Sequence, residues 1–91
     1  MLNDRELIEW IEQETELGDL RLPNRGTEYV RARAVAIKLI TERGARPGEI
    51  ARRLHRDPKT IRHAIGSWAT IWAHDAAAKQ LYEAGRAALA G

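Results

Sequence analysis

Ninety-one residues is the size of one small domain, and a chain this short buries only about two thirds of the surface its unfolded form exposes. It has no cysteine, which excludes disulfides and thiolate metal sites, and no apolar run near the roughly 20 residues that span a bilayer. The net charge of +2 conceals −6 over residues 1–20 and +8 over residues 21–63, and twelve of the fifteen cations are arginine, whose planar fork suits phosphate and guanine. The N-terminus runs acidic almost at once, so no signal peptide is expected, and the expected location is cytoplasmic, at the nucleoid.

Apolar residues recur at spacings of three and four, with no alternating runs and no phenylalanine, so the expected fold is all-α, one domain over residues 1–91. The first helix starts at Asn3 or Asp4, because Asn3 and Glu6 have the spacing of a capping box. It should bury Leu7, Trp10 or Ile11, and Leu17 before ending at Gly18. Its acids Glu6, Glu9, Glu12 and Glu16 read as a solvated face rather than a metal or acid-base cluster. A loop, 19–26, follows, anchored by Leu20 and Leu22 and carrying Arg21 and Arg25. Thr27 is the expected N-cap of the second helix, whose stripe is Val30, Ala34, Ile37 and Ile40 or Thr41, and which Gly44 closes.

The most informative stretch is 44–67. Pro47 suits the first turn of a short helix burying Ile50, Ala51 and Leu54; His55, Arg56 and Asp57 then break the pattern. Asp57 followed by Pro58 is a strong helix start, and Ile61, Ala64 and Ile65 give the inward face of the next helix. That spacing is a helix-turn-helix over about 47–66, with Ala51 small where the second helix crosses the first. The turn usually carries glycine where His55 stands, so a longer or differently shaped turn is expected.

With those faces buried, Lys59, Thr60, Arg62 and His63 point outward at the start of the second helix, where amides also favour phosphate. Arg46, Arg52, Arg53 and Arg56 flank them, giving six cations against two acids between Arg46 and Arg62. Helices of this kind read base edges in the major groove through their first turns. Beyond Gly66, Trp68 and Trp72 continue the line of Ile61 and Ile65 and read as core rather than base-stacking platforms. Asp75 restarts a helix with Leu81, Tyr82, Ala88 and Leu89, and Ala76, Ala77 and Ala78 permit close approach by a partner.

The segment RDPKTIRHAI at 56–65 resembles the signature of the C-terminal DNA-binding domain of the bacterial replication initiator DnaA. VRARAVAIKLI at 30–40 is similar to that family's preceding helix, GEIARRL at 48–54 to its first helix-turn-helix helix, and Asp19-Leu20 with Arg25 to its basic loop. The resemblance implies a minor-groove role for Arg25, base-reading positions for Asp57, Pro58 and Lys59, and phosphate contacts for Arg56 and Thr60. Departures from the family fall on the reading positions: Pro58 and Lys59 replace a histidine and a small hydroxyl residue, and Gly48 stands where a residue touching thymine methyl is common. They bear on which site is read, while the docking mode stands.

No phosphate-cradling GxxxxGK[ST] occurs, so no ATP-driven origin melting is expected from this chain, and no cofactor. His55, His63 and His74 lack ligand spacing, and no nucleophile stands beside a base, so the chain does not read as an enzyme. The leading expectation is a sequence-specific double-stranded DNA-binding protein, a transcription regulator of bacterial or phage type. The alternatives are a DNA-targeting module of a replication initiator or mobile element, and a protein-protein adaptor using the acidic first helix or the last helix, by which a homodimer would also form.

Overall fold

The structure is a computed structural model that describes all 91 residues. Five helices and no strand make up the chain: α1 (Asp4–Thr15), α2 (Thr27–Glu42), α3 (Pro47–Leu54), α4 (Pro58–His74) and α5 (Ala76–Ala90). No helix is long and apolar enough to cross a membrane. The helix α2 lies at the centre and touches each of the other four, which is why its residues from Ala32 to Ile40 are buried on every side except at Lys38. Alanines at 32, 34 and 36 let the neighbours approach closely. Ile50, Leu54 and Ile61, all fully buried, fix α3 and α4 against this centre, and truncating any one to alanine would cost about 2–5 kcal/mol.

Helix starts follow local chemistry. Asn3 Oδ1 accepts the Glu6 N–H at 2.8 Å and Glu6 Oε1 accepts the Asn3 N–H at 3.0 Å, completing the expected capping box. Asp57 caps α4 by accepting the Lys59 N–H at 2.7 Å, with Pro58 in its first turn. Asp75 closes α4 and opens α5, accepting the Ala78 N–H at 3.0 Å and the Arg31 Nε–H at 2.9 Å. The Arg31 guanidinium, then the Ala78 amide, hold the Asp75 carboxyl below its ordinary value.

Several expectations are corrected. The helix α1 ends at Thr15, where Glu16 turns into the left-handed region at φ 58°, rather than at Gly18. Gly26, not Thr27, stands at the N-cap of α2, with no side-chain bond. Val30 is 54% exposed, on an open groove between α2 and α4 rather than in the core, and Leu22 is 50% exposed, leaving Leu20 as the loop's buried anchor. The helix α4 runs unbroken through Gly66 and Ser67 to His74. Trp68 is core, but Trp72 is 37% exposed, set edge-on to Tyr82 at 5.5 Å with the Lys79 ammonium 4.7 Å from its ring centroid. The Tyr82 hydroxyl donates to Glu42 Oε2 at 2.7 Å; burial, then the Glu42 carboxylate, push the phenol above its ordinary value.

Candidate nucleic-acid interface

Between α3 and α4 the chain needs only His55, Arg56 and Asp57 to reverse. In this turn, expected to be longer or differently shaped for want of a glycine, His55 itself takes the left-handed conformation, φ 53° and ψ 50°, that glycine adopts readily. Its N–H and that of Arg56 both donate to the Ala51 carbonyl, the latter at 2.9 Å, so the end of α3 is satisfied within the turn. A short turn of this kind holds α4 at a set angle to α3, and packing through Ile50, Ala51, Leu54 and Ile61 locks it.

The exposed start of α4 carries Pro58, Lys59, Thr60, Arg62 and His63, while Ile61 between them is fully buried. This alternation leaves the first turns of α4 with donors on one side and core on the other. Arg46 stands at the N-cap of α3 and Arg52 on its exposed face. Gly48, in the first turn of α3, faces open space: a Cβ there would meet no atom within 4 Å.

Ion pairing divides the twelve cations of residues 21–63 into two groups. Arg21 pairs with Asp19 at 2.9 Å, Arg31 with Asp75 at 2.9 Å, Lys38 with Glu42 at 3.8 Å, and Arg43 and Arg53 with Asp4 at 3.7 and 3.8 Å. The Arg21 side-chain bond draws the half-buried Asp19 carboxyl down to about 2. Arg25, Arg46, Arg52, Arg56, Lys59 and Arg62 have no carboxylate within 4.0 Å, nor does the buried Arg33. The unpaired cations thus lie exposed on the loop, on and just before α3 and at the start of α4, and half-buried on the turn at Arg56.

The loop is tied to the turn by the Arg56 side chain. Its Nη2 donates to the Leu22 carbonyl at 2.6 Å, and its Nη1 donates to the carbonyls of Arg21 at 3.2 Å and His55 at 3.0 Å. Arg56 therefore joins the basic loop to the turn between α3 and α4, and its terminal nitrogens are engaged within the protein. Asp57 Oδ1 is likewise committed, to the Lys59 amide. Thr60 and His63 line a groove of 260 Å³ between α4 and α2, together with Arg33, Arg56, Val30 and Ile71.

Sequence reasoning missed Arg33, which falls outside the stripe expected of the second helix. Arg33 is 8% exposed, and its guanidinium donates to three loop carbonyls. Burial, then the neighbouring Arg56 charge, lower its pKa. A lone charge among Ala32, Ala34, Val35 and Ala36 was the available signal, since a charge in so apolar a run is buried with partners. No three His, Asp or Glu side chains converge as a metal site. No family model, no curated protein and no solved structure matches the chain.

Proposed function

We propose that this protein binds double-stranded DNA in a sequence-specific manner, with α3, the turn and α4 acting as a helix-turn-helix. In this reading α4 enters the major groove and the chain regulates transcription. The observation that carries the reading is the set of cations without carboxylate partners: Arg25, Arg46, Arg52, Lys59 and Arg62, all exposed, and the half-buried Arg56, whose bonds are to neutral carbonyls and leave its charge uncompensated. Cations left unpaired while nearby acids take up others are suited to phosphates, and the first turns of an exposed helix suit base edges. The resemblance of residues 56–65 to the initiator signature supports the same docking, with Arg25 in the minor groove beside it.

Roles divide by position. Lys59 and Arg62 read bases, with Pro58 and the free oxygen of Asp57 alongside. Arg46, Arg52, Thr60 and His63 take phosphates, and Arg56 contributes its charge from the turn. Gly48 leaves α3 bare, allowing close approach of the DNA backbone. The test is fluorescence anisotropy on duplexes that differ only beside the major-groove site. Wild type should bind more tightly when that flank is AT-rich, because a narrow groove deepens the potential an arginine meets. Arg25→Ala should reduce that preference. No duplex binding at low salt, or an Arg25→Ala loss indifferent to the flank, contradicts the reading or the minor-groove role respectively.

A further inference from the structure

Arg33 is the one charged residue in the buried set, and no carboxylate neutralises it. Desolvating a guanidinium is costly unless it is hydrogen-bonded, and here each of its three nitrogens has a backbone carbonyl as partner. Nε donates to the Leu20 carbonyl at 2.9 Å, Nη2 to that of Leu22 at 2.7 Å and Nη1 to that of Asn24 at 2.6 Å. These three carbonyls are spaced every second residue along a segment without regular structure. The Leu22 oxygen also accepts Arg56 Nη2 at 2.6 Å, so guanidiniums from α2 and from the α3–α4 turn grip the loop at one shared atom. Like charges are held close there, an arrangement with a cost that an apolar side chain on α2 would avoid.

What this grip fixes is the chain next to Arg25, which follows Asn24 directly. We infer that Arg33 is a positioning residue: it holds the 20–24 loop against the turn so that Arg25 is presented at a set place beside α4, and thereby sets minor-groove selectivity without touching DNA. The inference rests on the proposed DNA-binding function. An unheld loop would have to be ordered on each binding event, weakening and blurring the contact of its arginine.

The test combines ¹⁵N relaxation of the free protein with duplex titrations, on wild type, Arg33→Lys and Arg33→Met. In wild type the amides of the loop, 21–26, should have order parameters near the ~0.85 of rigid backbone, and in the variants below about 0.6, with the helices unchanged. The preference for an AT-rich over a GC-rich flank should shrink to within about twofold in the variants, while Lys59→Ala still weakens binding to the best site as in wild type. A loop already flexible in wild type, or an unchanged flank preference in a folded variant, overturns the inference. Failure of both variants to fold makes Arg33 a core residue only and overturns it too. If wild type binds no duplex, it is the underlying DNA reading that falls; binding with an unchanged flank preference removes the positioning role alone.

Discussion

The salt dependence of duplex binding follows from the ion-pair pattern. Of the cations in the +8 segment, Arg21, Arg31, Lys38, Arg43 and Arg53 already face carboxylates and Arg33 is buried, leaving six that can displace counterions from DNA. At about 0.9 per phosphate neutralised, log affinity should fall against log salt with a slope of roughly −5, about a thousandfold loss between 50 and 200 mM. Arg52→Gln should flatten the slope by about 0.9, on specific and random duplexes alike. Lys38→Gln removes the same charge, but from a 3.8 Å pair with Glu42 on α2, and should leave the slope unchanged. Anisotropy titrations over a salt series read all three proteins. A slope near zero, or equal flattening by both substitutions, refutes the assignment of the unpaired cations to phosphates.

Other outcomes are expected. Lys59→Ala should cost about 1–3 kcal/mol on the best site and relax preference at one or two positions, read by competition with single-base variants; equal losses on random DNA would remove its base-reading role. Gly66 is exposed in mid-α4 with nothing within 4 Å of an added Cβ, so Gly66→Ala should stabilise by about 0.5–1 kcal/mol in thermal unfolding. At Gly85 the same Cβ would lie 2.6 Å from Leu39 Cδ1 in the α2–α5 contact, so overpacking of about 1–3 kcal/mol outweighs the propensity gain and Gly85→Ala should lower the melting temperature. Asp75 titrates below its ordinary 3.8 when folded, so its stabilising contribution is present above that pH and is lost as pH falls through the lowered value. In Asp75→Asn, which keeps a capping side chain but no charge, that part of the acid loss should be missing from denaturation curves.

What could be read from the sequence was what adjacent residues decide. The capping box of Asn3 and Glu6, the Asp57-Pro58 start and the inward set of Ile50, Leu54 and Ile61 depend on residues within one or two turns of each other. Where long-range packing decides, the reading failed. A single stripe including Val30 presumes a helix with one covered side, whereas α2 has four neighbours that cover it over Ala32–Ile40 except at Lys38 and leave Val30 on an open groove beside α4. The apolar run around Arg33 hints at its burial, but the three carbonyls that satisfy it come from the 20–24 loop, outside that run, and no local pattern encodes them. His55 lies between: the missing glycine suggests a longer or differently shaped turn, and the structure spans α3 to α4 in three residues with histidine in the left-handed region. The cations of the candidate interface were visible as a charge segment, yet which of them stay free depends on acids brought from far along the chain, as Asp4 is brought to Arg43 and Arg53.

Selection of bound duplexes from a random pool, with footprinting of the winners, tests sequence-specific DNA binding most directly. The expected result is enrichment of a short motif of a few base pairs protected in the major groove, adjoined by an AT-rich stretch protected in the minor groove, and loss of the motif's preferred bases with Lys59→Ala. Retention of duplexes with no enrichment over the input pool would leave only charge-driven binding and contradict α4 as a base-reading helix.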